Sequence, residues 1–249
     1  MITFLADLDN TLIYSYRREI IGEKLEVEWI NGKLQSYMTK HTYDFLTKAE
    51  NMQIIPITSR TPQQYERLSE IMEKLKVKYA VICNGGILLE DGKVNKEWYE
   101  ETLRLTAKAQ KEMQKACEIL KEENPVIHET ENIMVYAVVE EPQKVEQKLK
   151  NALDEKLVMV FCDHRKVYCL PKEINKGNAV KRLIEKGIVK GIAAASGDGE
   201  QDISMLEQAE YPIVPETLAD RVNNSRKHIV SNSPMFSDNV CDEIKKLTD

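Results

Sequence analysis

Asp7 and Asp9 stand two residues apart in the stretch Asp7-Leu8-Asp9-Asn10-Thr11-Leu12, just beyond the short apolar run Ile2 to Leu5. Two carboxylates so spaced after a buried strand can both face the crevice where open α/β sheets hold ligands. One can attack phosphorus as a nucleophile, while the other passes a proton to the leaving group and takes one from water. A covalent carboxyl-phosphate divides one difficult displacement into two easier ones. Taken alone, the pair is moderately specific, the competing reading being two acids that cap turns.

A second acidic group lies far along the chain. Gly197-Asp198-Gly199-Glu200-Gln201-Asp202 follows an apolar segment and places carboxylates four residues apart around a strand-to-helix turn. Its glycines permit a tight turn and close backbone approach. Combined with the Asp7 cluster, Asp198 and Asp202 form the second half of a magnesium site, since magnesium takes few carboxylates together with water and substrate oxygen. Phosphoryl transfer further needs donors and positive charge on the phosphoryl oxygens. Thr58-Ser59-Arg60 supplies a hydroxyl and backbone N–H groups beside a helix N-terminus, and Lys176-Gly177 supplies an ammonium. Singly, a Thr at a helix start is a cap and a Lys covers a solvated face. Four such groups in order, each at a strand's C-terminal end, carry the case.

The elements that must position these groups are legible from periodicity and punctuation. Ile2 to Leu5, Ile54 to Ile57 and Tyr79 to Cys83 read as buried parallel strands. Leu25 to Ile30 and Leu34 to Met38 flank Asn31-Gly32, a strong hairpin signal. Thr39 is an expected N-cap for a helix over Thr42 to Ala49, and Thr61-Pro62 opens a helix expected to run to Leu75. From Gly86 the texture changes: a long charged helix over Glu97 to Lys121, strands at 126–128 and 133–139, a helix at 142–154, and strands at 157–162 and 166–170. That order describes a small antiparallel sheet with helices on one face. Alternation then returns, with helices at 178–186, 202–208 and 218–223 and strands at 191–195, 211–214 and 228–230. The expected fold class is therefore α/β: a doubly wound parallel sheet (residues 1–86 and 172–249) interrupted by an α+β insert (residues 87–171).

The 249-residue chain is 42% hydrophobic and 31% charged, as in a globular protein rather than a disordered one. A formal net charge of -6 argues against nucleic acid as the main partner. It leaves room for a small anionic substrate at a locally positive site. Five cysteines with no Cys-x-x-Cys read as free thiols in a reducing compartment. The N-terminus carries no signal-peptide pattern and no apolar run is long enough for a membrane span, so a cytoplasmic location and no membrane partner are expected.

The four groups together resemble the motifs of the haloacid dehalogenase-like hydrolase superfamily. Asp7 to Leu12 resembles its first motif, Thr58 its second, Lys176 its third, and Gly197 to Asp202 its fourth. The insert's position and helix-strand-strand order resemble the type IIB cap of the Cof-like and sugar-phosphatase subgroup, as does Asn84-Gly85-Gly86 before it. The resemblance implies Asp7 as nucleophile and magnesium ligand, and Asp9 as general acid/base that also ligates the metal through its carbonyl. It further implies Thr58 on the phosphoryl group, Lys176 neutralising Asp7, and Asp198 and Asp202 holding Mg2+. Asp9 favours phosphate chemistry over carbon–halogen cleavage, because the true dehalogenases lack the second acid. Thr11, Ser59, Arg60, Asn84 and Arg165 are candidates for binding substrate; Arg17, Arg18 and His164 are further basic candidates on cap and flap. Ser59 stands where the subgroup often has glycine, and the Asn31-Gly32 hairpin lengthens the segment between the first two motifs. The implied substrate is a small phosphorylated metabolite such as a sugar phosphate. The alternatives are a phosphomutase of the phosphomannomutase type and a non-catalytic phospho-ligand-binding protein of the same fold.

Overall fold

Ile2, Thr3, Phe4, Leu5 and Ala6 are all buried, the pattern of a strand covered on both faces. In the computed structural model, which describes residues 1–124, 126–130 and 133–247, Ile2–Ala6 is an interior strand of a five-stranded parallel sheet, one in from its edge. The strand order is His228–Val230, Tyr211–Pro215, Ile192–Ser196, Ile2–Ala6, Met52–Pro56. Ile2–Ala6 pairs on one side with Met52–Pro56 and on the other with Ile192–Ser196. The chain therefore winds first to one side of this strand and later to the other. That is a topological switch point, where the loops after adjacent strands part and leave a crevice.

Backbone hydrogen bonds carry the ladder past the strand ends. Asp7 N–H donates to the Ser196 carbonyl (2.9 Å), Ile57 N–H to Ala6 (2.8 Å) and Thr58 N–H to Val81 (2.9 Å). Lys40–Lys48 packs beside Phe236–Lys245, joined by Thr42 Oγ1 donating to Asp238 Oδ1 at 2.9 Å. Lys176–Glu185 packs beside Ile203–Gln208. A side chain at Gly177 would place its Cβ 2.5 Å from the Ser204 carbonyl oxygen, so only glycine permits that approach.

The Asn31-Gly32 turn joins Lys24–Ile30 to Lys33–Thr39 as an antiparallel hairpin. Both turn residues have positive φ (50° and 73°), the geometry that a tight primed turn demands. The register shifts around Glu28, and Val27 and Glu28 are consecutively buried where alternation would expose one of them.

The second compact unit, Asn95–Asn175, has its own core. Its four strands lie in the order Val158–Asp163, Lys166–Pro171, Met134–Val138, Ile127–Thr130, all antiparallel. Val135, Ala137, Val167 and Cys169 pack against Met113, Ala116 and Leu120 of the helix Gln110–Glu123 and Val145 and Leu149 of Pro142–Ala152. By strand alternation the other face carries a cross-strand aromatic row, His128, Tyr136, Tyr168 and Phe161, with ring centroids 4.6, 4.9 and 5.1 Å apart.

Several elements differ from the sequence expectation. The helix opened by Pro62 divides into Pro62–Glu66 and Ser69–Lys74, with Leu68 at the break fully buried. The 97–121 helix divides at a 3₁₀ turn, Ala107–Ala109. Residues 218–223 form no helix: a short 3₁₀ turn, Glu216–Leu218, is followed by a loop. Asn224 holds that loop through its side-chain amide, donating to the carbonyls of Leu206 and Ala209. Phe236–Lys245 is a helix that the sequence reading did not include. The insert begins at residue 95 and ends at 175, rather than at 87 and 171. Ile87–Glu90 turns back antiparallel onto Tyr79–Ile82 and so belongs to the parallel unit.

Candidate active site

Asp7 emerges directly from the strand Ile2–Ala6 and is 7% exposed. Its carboxylate faces the Lys176 ammonium, with Nζ 2.6 Å from Asp7 Oδ1 and 2.5 Å from Asp202 Oδ1. Lys176 is the first residue of its helix and almost wholly buried. Burial alone would lower its pKa, but Asp202 and then Asp7 outweigh it and hold the ammonium charged above its usual range. Asp7 is pushed up by burial; Lys176 pulls it down, and Asp202, Asp198 and Asp9 push it further up.

Asp198 and Asp202 come from the turn after Ile192–Ser196. Asp202 is fixed by Gly199 N–H donating to its Oδ2 at 2.9 Å. A Cβ at Gly197 would lie 2.3 Å from Asp202 Cγ, so the glycine makes the space this carboxylate occupies. Thr11 Oγ1 donates to Asp198 Oδ1 at 3.3 Å. Asp198 is raised to about 6 by burial and next by Asp202. Carboxylate oxygens of Asp7, Asp198 and Asp202 all lie within 4.8 Å of one another. Three carboxylates against one ammonium leave negative charge that a divalent cation would neutralise, and the all-oxygen donor set suits magnesium. These residues fit the ion.

Asp9 lies within a turn that folds around the Leu8 carbonyl, which accepts from the N–H groups of Thr11, Leu12 and Ile13. Asn10 closes that turn at φ +59°, a conformation that Asn adopts more readily than most residues. The Asp9 side chain is 51% exposed and makes a two-point pair with Arg60: Nε to Oδ2 at 2.9 Å and Nη2 to Oδ1 at 2.8 Å. Arg60 makes a second two-point pair with Glu28, Nη1 to Oε1 and Nη2 to Oε2, each at 3.0 Å. Burial alone would lower the Arg60 pKa; the bonds and charges of Asp9 and Glu28 raise it instead. Arg60 is thus drawn to two carboxylates, one of them on a residue the sequence reading did not single out. Glu28 looks in sequence like one more acid of an alternating strand, and only the register shift buries it.

Thr58 is buried at the end of the neighbouring strand, and its Oγ1 accepts from Arg60 N–H at 3.2 Å. Ser59 beside it is half-buried. Asn84 N–H donates to the Thr58 carbonyl at 2.9 Å, and Cys83 N–H to Arg60. Cys83 and Asn84 both have positive φ (51° and 56°) while buried, backbone strain of the kind that collects at functional sites. Among the described residues, Asn84 Oδ1 is buried with no hydrogen-bond partner. Arg17 and Arg18 are exposed on the loop before the hairpin, Arg18 over the Tyr14 ring. His164 and Arg165 belong to the second unit, in the exposed turn between two of its strands.

A parallel α/β sheet with a buried Asp after its first strand, an ammonium against it and two more acids after the strand paired beside it defines a class of hydrolase. A family model for haloacid dehalogenase-like hydrolases matches residues 45–234, and the chain belongs to that family. Among solved structures it is similar to a sucrose-phosphatase from Synechocystis determined with sucrose and phosphate (TM-score 0.67, 17% identity, covering 99% of this chain and 98% of that one). It is also similar to a subclass IIB sugar phosphatase of the superfamily (TM-score 0.66, 14% identity, 100% and 99%). A third is a haloacid dehalogenase-like hydrolase from B. subtilis (TM-score 0.62, 15% identity, 99% and 100%). At such identities the likeness is one of fold. Over 65 residues the chain is 35% identical to a Streptococcus pyogenes protein provisionally named a phosphatase; the match spans 26% of this chain and 24% of that protein. Among the described residues no helix is long and apolar enough to cross a membrane.

Proposed function

We propose that the protein is a magnesium-dependent phosphatase that hydrolyses a small phosphorylated metabolite, with sugar phosphates the first class to test, through a phosphoryl group carried on Asp7. The observation that carries this reading is the buried Asp7 carboxylate against Lys176, inside a cluster of three acids. An Asp7 oxygen attacks phosphorus as the bond to the leaving oxygen breaks, and Asp9 gives that oxygen a proton. Asp9 then takes a proton from the water that attacks phosphorus, so that phosphate leaves and the Asp7 carboxylate returns. Lys176 orients Asp7 and favours its ionised form against the burial and the neighbouring acids that oppose it, and its charge offsets the anion that forms there. The Thr58 hydroxyl, which accepts from Arg60 N–H and keeps its own proton to donate, is the donor offered to the phosphoryl oxygens. Asp7, Asp198, Asp202 and the Asp9 carbonyl would hold magnesium, which supplies positive charge to those oxygens when bound. The phosphatase names of the structural neighbours and of the streptococcal relative support this reading, as does the second acid, Asp9.

The test is hydrolysis of p-nitrophenyl phosphate with and without magnesium, in wild type and Asp7→Asn. Activity that needs the metal and falls by about a thousandfold or more in the variant is the expected result. Turnover near wild type in a folded Asp7→Asn protein would remove Asp7 from the chemistry.

A further inference from the structure

Arg60 has five N–H donors in a rigid fork, and all five are engaged. Nε and Nη2 donate to Asp9, Nη1 and Nη2 to Glu28, and Nη1 to the Gln64 carbonyl at 3.2 Å. The plane of the guanidinium is therefore set from the Glu28 side, by a carboxylate only 5% exposed, and passed on to an Asp9 that is 51% exposed. Glu28 is itself oriented: Ser36 Oγ, across the hairpin, donates to Glu28 Oε2 at 2.7 Å. Arg67 Nη1 lies 3.8 Å from its other oxygen.

We infer that Glu28 is a positioning residue for the acid/base chemistry of Asp9: the hairpin fixes Arg60, and Arg60 fixes the Asp9 carboxyl. This assignment rests on the phosphatase reading above. It gives Arg60 a role other than substrate binding, because its donors are already engaged. Stability alone does not explain the arrangement. A buried ion pair is commonly no more stabilising than apolar side chains of the same volume, and breaking one by removing a single partner is costly. Here the chain buries a glutamate at a strand irregularity that turns it inward. Such irregularities are characteristic where a strand must aim a side chain. The far end of the pair is the half-exposed acid beside the nucleophile. Each Asp9 oxygen accepts one hydrogen bond from Arg60, and the two-point pair fixes the plane of the carboxyl.

Orientation of the proton donor matters only where the leaving oxygen needs a proton. An alkoxide leaving from a sugar or glycerol phosphate needs one; a dinitrophenolate does not. Wild type, Glu28→Gln and Ser36→Ala are compared, with magnesium, on 2,4-dinitrophenyl phosphate. They are also compared on the best substrate from a panel of hexose, pentose and glycerol phosphates. In Glu28→Gln, kcat on the alkyl phosphate is expected to fall by about tenfold to a hundredfold, with KM unchanged within about twofold and the dinitrophenyl ester losing less than about threefold. Ser36→Ala, which leaves no buried charge unpaired, should show the same skew at about two- to fivefold, and carries the test if Glu28→Gln does not fold. Equal losses on both substrates, or no loss on either, overturn the assignment and leave the phosphatase reading standing. If wild type hydrolyses neither substrate class, the phosphatase reading fails and the assignment falls with it.

Discussion

Lys176 sits where its removal has two separable consequences. It is the buried cation between Asp7 and Asp202, so Lys176→Met leaves three carboxylates facing one another without it. Breaking a buried pair in this way costs about 3–5 kcal/mol, and loss of the charge on the forming anion lowers kcat by about a hundredfold or more. Melting with EDTA should show the first effect, magnesium should recover part of it, and kcat should stay low. Recovery of kcat by magnesium alone would contradict the role given to Lys176. Asp198 provides a test by pH. Its carboxyl is held above the usual 3.8, to about 6, so the folded protein keeps a proton there that the unfolded chain releases. For an acid raised on folding, stability falls as pH rises through that window. In EDTA, wild type should lose ground to Asp198→Asn in urea melts between these two pH values. A difference that is flat across them would show that Asp198 is not buried among like charges. Gly197→Ala forces a Cβ to 2.3 Å from Asp202 Cγ and should weaken magnesium activation, read as a rise in the metal concentration needed for half-maximal rate.

At the scale of elements, the strands and turns that deliver these side chains were readable wherever local chemistry decided them. Asn31-Gly32 announced the hairpin because both positions require positive φ. Thr39 announced a helix, and its side chain does accept from Thr42 N–H. Thr39→Ala should therefore cost about 1 kcal/mol in urea denaturation; a loss below a few tenths would mean that the cap is redundant with the Asp238 contacts. Asp91-Gly92 carries the same turn signal, with φ of 48° and 73°, and pairs Ile87–Glu90 with Lys93–Val94. That hairpin belongs to the parallel unit, so the insert starts only after it, at Asn95. The helix Phe236–Lys245 shows buried Phe236, Val240, Cys241 and Ile244 at helical spacing, so its signal too was present. What local chemistry could not announce is the division of Pro62–Lys74 at buried Leu68, or the burial of Glu28. Both depend on what the rest of the fold presses against them.

For the molecule as a whole, the doubly wound sheet was legible because buried parallel strands read as short apolar runs, and Ile2–Ala6 and Ile192–Ser196 are such runs. The acids were legible because each group follows such a run, whereas Lys176 opens a helix after an antiparallel strand of the second unit. Their convergence is a property of strand order: Ile2–Ala6 lies beside Ile192–Ser196, which puts Asp7 next to Ser196 and brings Asp198 and Asp202 round to it. The Arg60 pairings needed the same long-range order and, in addition, a register irregularity that no periodicity encodes.

The central claim is that Asp7 carries the phosphoryl group. Its most direct test is acid quenching of the enzyme during turnover of a labelled aryl or sugar phosphate, followed by mapping of the labelled peptide. The account predicts acid-stable label on the peptide that holds Asp7, appearing before free phosphate and absent from Asp7→Asn. Steady turnover with label on another residue, or with no labelled protein at any quench time, would contradict it.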